Sequence, residues 1–583
     1  MASLTPTPKQ QFLDANGNPL AGGKVYTYAA GTTTPLVTYT DESGTTPNTN
    51  PVILDSRGEA GIWLGVASYK LKLTTATDVE IWTVDNIVSA SVQALADLSE
   101  SGGSALVGYL PAGTGAVATT VQAKLREMVS VKDFGAKGDG VTDDTAAMTA
   151  AHATGKVVFY PKGDYKFSTI SFSGGGLIGE GQSTSLLSTS ASTADLITFT
   201  GVGTGASTGD AVPYFANFYI SVPTYSTKSA GAAIRLTPSQ ANPSNNVLFF
   251  PYFENIHIRN VPSGIVWDNT ALVTVKDCKF FFYTGTAISS ANTNAPDQGD
   301  NHIYGNTFYN GLGFNQGTAL YIPSGGGLYF TNNKINGGLK GVHVKPLFTG
   351  STSIFNIAAN SIENVSTGYG VHFEYGNANA GVQVSQAQIT GNQFANNNYS
   401  VFFDNGAGTA FYWSTVSITG NTFLSNASGD QPITLQSGRN FCISGNTFDK
   451  TGGVGGTAIT IGSLAAEGKI LQNSRYACTT YVSNSSSSVF IQPDVLTGSG
   501  TTTATNTGYG TALFVSPGNA VTFARQFESA PIVQVGLQQG AGAAVSAYSG
   551  SVAATGFTVY GVTHTTAVVV TYNYVAQGIL RSY

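Results

Sequence analysis

Seven short segments of this sequence share a pattern that could carry chemistry: GIVWD, ALYIP, GVHVK, GVHFE, SVFFD, PITLQ and AITIG, between Gly264 and Gly462. Side chains alternate between the two faces of a strand. With Val371 and Phe373 turned inward, His372 and Glu374 face out. With Val401 and Phe403 inward, Phe402 and Asp404 face out, and the same parity in GVHVK exposes His343 and Lys345. Tyr321 takes the His343 column one repeat earlier. Parallel strands stack about 4.8 Å apart, which would make Glu374 and Asp404 vertical neighbours with Lys345 below. Two carboxylates about 5 Å apart suit retaining glycoside hydrolysis, and about 6.5–9.5 Å suits inversion. Crowding is expected to raise one carboxyl pKa and so create the protonated acid such a reaction needs.

On this reading Glu374 and Asp404 are the catalytic pair, and Tyr321, His343, Lys345, His372 and Phe402 line the substrate. Phe402, Tyr321 and Trp413 are the expected exposed platforms for sugar rings. A one-residue slip in register would bury the pair instead, and a Glu beside a Lys is also ordinary solvated surface. Other candidates are Asp297, Asp300 and His302 in APDQGDNH, and Asp430. A base with cations drawn from Tyr321, His343, His372 and Lys345 would instead suit proton abstraction and elimination. There is no C-x-x-C, H-E-x-x-H or P-loop motif. Neither a metal nor a cofactor is expected.

The elements that must position these residues are legible as a repeat. YGNTF, TNNKI, AANSI, TGNQF, TGNTF and SGNTF share Asn306, Asn333, Asn360, Asn392, Asn421 and Asn446, spaced 25 to 32 residues apart. Irregular spacing around a fixed motif is expected of a solenoid whose rungs carry variable loops. Asn suits the bend because it tolerates left-handed backbone and bonds its neighbours. The apolar residue two places later is expected to point inward.

The repeat is preceded by VSVKDFGAKGDGVTDDTAAMTAAHATGKVVFYPKGDYKFSTISFSGGGLIGEG, residues 129–181. It predicts a short strand, a glycine break, a helix over 145–153 capped by Thr142, and then strands. Asp139, Asp143 and Asp144 miss the EF-hand spacing and read as turn and cap residues. DFGAKGDGVTDDTAA resembles the opening signature of the pectate-lyase-like β-helix superfamily, most closely its bacteriophage tailspike members. The resemblance implies an all-β, right-handed single-stranded parallel β-helix over 129–495. It further implies a homotrimer that binds and depolymerises a bacterial capsular or lipopolysaccharide O-antigen polysaccharide with acidic residues. A non-catalytic receptor-binding spike and a purely structural fibre are the alternatives.

Residues 1–90 alternate strands with Asn-Gly, Gly-Gly and Thr-Pro turns, and they resemble a tailspike head that anchors to virion tail or baseplate proteins. Residues 91–128 read as a helical neck. Residues 511–583 resemble a small β-sandwich-like module that closes a trimer or binds carbohydrate. Charged residues are only 10% of the 583-residue chain, against about 25% in ordinary soluble domains. A net charge of −6 with no basic stripe argues against a nucleic-acid partner. Three cysteines are too few for a disulfide framework and suit assembly in a reducing cytosol. The start MASLTPTPKQQ has no apolar signal region, and no run of about 18 apolar residues occurs, so no membrane insertion is expected.

Overall fold

The computed structural model describes residues 9–491, except 89, 190–192, 202–211, 224–228, 239–247, 291–298, 312–315, 324–326, 346–353, 375–385, 405–412, 426–428, 451–455, 477 and 479, together with the backbone of strands between 494 and 578. The chain divides into two compact units, 1–127 and 128–583. In the first, Val52–Ile53, Lys24–Ala29, Ser68–Thr74 and Glu80–Val88 form an antiparallel sheet in that order. Alternation in KVYTYA and SYKLKLT sends Val25, Tyr69, Leu71 and Leu73 to one side, where they bury with Leu20, Val52 and Leu54. Helices Ala90–Ser99 and Val121–Leu125 follow in the same unit.

The second unit is a parallel β-helix. Each full rung runs strand, asparagine bend, strand, turn, strand, as in Asn301–Tyr304, Thr307–Tyr309 and Thr318–Ile322. Among the described residues the first and second strands of all rungs join one 25-stranded sheet, and the third strands form a 12-stranded sheet. Phe308, Ile335, Ile362, Phe394, Phe423 and Phe448, two places after each asparagine, are all buried. Aromatic rings among them stack at the rung spacing: Phe394–Phe423 and Phe423–Phe448 are each 5.0 Å apart and nearly parallel.

The asparagines form a buried ladder. Asn333 Oδ1 accepts from Asn306 N (2.9 Å) and Asn306 Nδ2 (3.0 Å), while its own Nδ2 donates to Ile303 O (2.9 Å) and Asn360 Oδ1 (3.1 Å). The series continues through Asn392, Asn421 and Asn446 to Asn473. All four bonding positions of such an amide are filled, which is what its burial demands. The left-handed backbone expected at these asparagines belongs instead to the residue before each one. Gly305, Asn332, Ala359, Gly391, Gly420 and Gly445 carry φ between 56° and 72°. The turn is made one residue early, which leaves the ladder amide free to point inward.

The helix Thr145–His152 covers the first rung with Met148, Ala151 and His152 buried. His152 stacks 3.9 Å from Phe172. Thr142 does not cap it; its hydroxyl donates to Asp139 Oδ2 within the strand Asp139–Asp143. Asp144 is the cap residue, yet its carboxylate accepts from Lys137 N and Gly138 N, and Asp143 takes Thr145 N. The aspartates thus organise turns through backbone donors, which hold Asp139 down at about 2. At the far end, strands between 494 and 578 form two antiparallel sheets, one around Val569–Gly578 and one of Asn519–Thr522, Gly556–Val562 and Ser546–Ala553.

The ladder makes a stability test direct. Asn360→Ala leaves Asn333 N, Asn333 Nδ2 and Phe330 O without their partner. Each such orphan costs about 1–3 kcal/mol, so the denaturant midpoint of the β-helix should fall clearly. Thr419→Ala, which removes only an exposed hydroxyl contact to Thr390, should change stability by no more than about 0.5 kcal/mol.

Candidate functional site

The third strands pair so that Tyr321, His343, His372 and Phe402 share one column, with Leu320, Val342, Val371 and Val401 in the inward column beside it. The ladder extends past the strand ends through Lys345 N to Ile322 O, Glu374 N to Val344 O and Asp404 N to Phe373 O, at 2.8 to 2.9 Å. Lys345, Glu374 and Asp404 therefore occupy successive rungs. Gly341 and Gly370 are required beneath them: a Cβ at Gly341 would lie 2.3 Å from Gly370 O, and one at Gly370 would lie 2.7 Å from Ser400 O.

The column is more covered than alternation implies. His343 and His372 are only 8% and 4% exposed, and Phe402 only 7%. Trp413, expected as a sugar platform, lies in the core against Phe373 (5.1 Å) and Phe403 (5.7 Å). Lys340, Tyr369, Tyr399 and Gln431 cover the column, and alternation alone misses them. Counting back by twos from Val342 places Lys340 inside, but the corner before Gly341 carries it outside. Tyr369 stacks on His372 at 4.1 Å and on Tyr399 at 5.1 Å, and Tyr399 meets Phe402 edge-on at 4.9 Å. Tyr369 and Tyr399 stay half-buried and are the rings a ligand would meet. Tyr321 remains partly exposed beside His343, 4.9 Å away.

Glu374 is the electrostatic centre. Its Oε2 accepts from His343 Nε2 (2.7 Å) and Lys340 Nζ (2.9 Å), and its Oε1 accepts from Lys345 Nζ (2.5 Å). His343, Lys345 and Lys340 hold its carboxyl far below the usual range, against a burial that works the other way. The rise expected from a crowded pair is thus reversed, because these partners come from the preceding rung and draw the carboxylate toward them. Glu374 cannot serve as the protonated acid. Burial lowers His343 and keeps it neutral, and the Glu374 bond, next in weight, only partly offsets this. Its Nε2–H then donates to the carboxylate. Burial, with Lys340 and His343 nearby, pushes His372 down to about 3. Neither His372 nitrogen has a hydrogen-bond partner among the described residues. Asp404 is fixed at its strand end, where its carbonyl accepts from Ser437 Oγ (2.8 Å) and Trp413 Nε1 (3.3 Å).

His343, His372 and Glu374 offer donor atoms that all lie within 4.8 Å of one another, a spacing that could serve one metal ion. Two ammonium groups already hold the carboxylate, so a metal does not fit without displacing a lysine. The other acidic candidates do not join the site. His302 stacks on Tyr329 (4.7 Å) on a first strand, and Asp300 precedes that same strand in a left-handed turn. Asp430 accepts from Ser425 Oγ and, through its carbonyl, from buried Lys450. Asp297 lies outside the described residues.

Rungs of this form, closed at one end by a short helix, define a single-stranded parallel β-helix. Residues 128–388 match the rhamnogalacturonase A/epimerase, pectate lyase-like family. The β-helix region of the chain is thus similar to pectate lyase-like proteins. The chain is 46% identical over 68 residues to the tail spike protein of an Escherichia phage, covering 12% of this chain and 8% of that one. It is 59% identical over 44 residues to alginate lyase 7 of Azotobacter vinelandii, covering 7% and 5%. The chain thus spans under a tenth of the length of the curated relatives it matches. A tailspike protein of E. coli bacteriophage HK620 superimposes with a TM-score of 0.47 at 13% identity, covering 84% of this chain and 100% of that one.

The neutral His372 makes stability depend on pH. Its folded value of about 3 lies below its ordinary 6.5, so the unfolded chain takes up the proton first. Stability is full above pH 6.5 and falls as the pH drops from there toward 3. The ionised Glu374 adds a loss in the same direction below its ordinary 4.5. Unfolding midpoints measured from pH 7 to 4 should decline, and His372→Asn should lessen the decline between pH 6.5 and 4.5, the rest of which comes from His152, His257 and His343, whose imidazoles burial also lowers.

Proposed function

We propose that this protein binds a bacterial surface polysaccharide, capsule or O-antigen, along the face of its third strands and cleaves it by glycosidic hydrolysis. Glu374 is the permanently ionised member of the acidic pair and acts either as the nucleophile that bonds to the anomeric carbon or as the base that takes the proton of the water attacking it. Asp404, one rung further, delivers the proton to the leaving oxygen. The observation that carries this reading is the Glu374 carboxylate, held ionised by His343, Lys345 and Lys340, the last of which lies 5.6 Å from the ring of half-buried Tyr369. The pectate lyase-like match supports carbohydrate chemistry on this scaffold.

In this reading the chain works on a virion tail as a homotrimer. Residues 1–90 attach it, 91–128 form the neck, and 511–583 close the trimer or bind carbohydrate. Tyr321, His343, Lys345, His372 and Phe402 shape the substrate path, the buried ones by supporting Tyr369 and Tyr399. A second reading is favoured by His372, a neutral imidazole whose nitrogens have no partner among the described residues, near Lys340 and Lys345. A base beside two cations suits elimination next to an acidic sugar's carboxylate.

Mass spectrometry of fragments released from the host polysaccharide separates these readings. Whole repeat units plus one water establish hydrolysis, and Glu374→Gln or Asp404→Asn should each slow release by about 10²–10⁴-fold. Full release by both variants overturns the pair. Fragments that lack the water and carry an unsaturated end assign the elimination. Binding with no fragments makes the chain an adhesin.

A further inference from the structure

Lys340 has a position that its charge alone does not explain. Its ammonium lies 2.9 Å from Glu374 Oε2 and 3.1 Å from His343 Nε2, while those two atoms are 2.7 Å apart. The cation therefore sits against two groups that, with His372, could make a set of metal donors. His372 Nδ1 stands 3.8 Å from the same Glu374 oxygen and is buried without a hydrogen-bond partner among the described residues. Two imidazoles and a carboxylate are a familiar donor set for divalent transition metals. The Lys340 side chain is only 16% exposed, so its ammonium is not a passing surface contact.

We propose that Lys340 is the built-in cation of this site: its ammonium occupies the place in which His343, His372 and Glu374 would otherwise bind a divalent metal ion. The lysine keeps Glu374 Oε2 turned toward His343, and Lys345 holds Oε1 from the other side. Lys340 is thus a positioning residue, and the site is metal-free by construction. A methylene chain ending in a fixed charge does what a metal would do, without competing for cellular zinc. The proposal rests on the same cluster as the hydrolytic reading, but its consequence is ion binding, which can be read whether or not the protein cleaves anything.

The test uses the full-length protein and Co²⁺, whose visible d–d spectrum reports nitrogen and oxygen ligands. Lys340→Met keeps the length of the side chain and removes the charge. It should take up about one equivalent of Co²⁺, while the wild type and Lys340→Arg, which retain a cation, take up none at the same concentration. His372→Ala in the Lys340→Met background should abolish the uptake. Should Lys340→Met not fold, Lys340→Gln is used, with circular dichroism to establish the β-helix. A folded charge-removed variant that binds no Co²⁺ overturns the proposal. So does a wild type that binds it equally well.

Discussion

The bends between first and second strands from Asn333 to Asn446 each depend on one side-chain amide with four hydrogen-bonding positions, all of them used. The ladder from Asn306 to Asn473 links each rung to the next through a side-chain bond of 2.9 to 3.1 Å, and to the backbone on both sides. Because it runs inside the bend, it ties the turn to the core rather than to solvent. A shorter or apolar side chain would leave backbone N–H groups buried and unpaired, and that penalty is large compared with any single rung contact. The first fully repeating rung shows the tolerance of the system: Cys278 takes the ladder position, and its N–H still donates to Asn306 Oδ1.

With the bends secured, the third strands stack in strict register, and chemistry follows from stacking. Rungs about 4.8 Å apart place ionisable groups closer than they would sit on most surfaces. The outcome is set by which neighbour each one meets. Glu374 meets three donors from the rung before and becomes a stable anion, and the imidazoles beneath it are desolvated into neutrality. Charge and burial together produce a cluster whose protonation is fixed across the neutral range.

The reach of the sequence is clearest in particular residues. The parity of GVHVK, GVHFE and SVFFD placed Tyr321, His343, His372 and Phe402 in one column and Lys345, Glu374 and Asp404 in the next, and the strands pair that way. Parity could do this because a strand has only two faces and Val342, Val371 and Val401 must be inside. It failed one step earlier, at Lys340, Tyr369 and Tyr399, where a corner breaks the alternation before a small residue, Gly341, Gly370 or Ser400. It also could not tell an outward position from an exposed one. Phe402 and His372 point away from the core but lie beneath Tyr369 and Tyr399.

The sequence by itself therefore determined the architecture. A recurring asparagine with an apolar residue two places on has few ways to be satisfied other than a stacked bend, and GAKGDGVTDD has to turn before a helix. Only the tertiary structure decided the electrostatics. The pKa of Glu374 is set by side chains 29 to 34 residues away, and their distances depend on rotamers and corners that no local pattern encodes. Spacing along the chain names the neighbours. Three-dimensional packing decides which of them the carboxylate turns to.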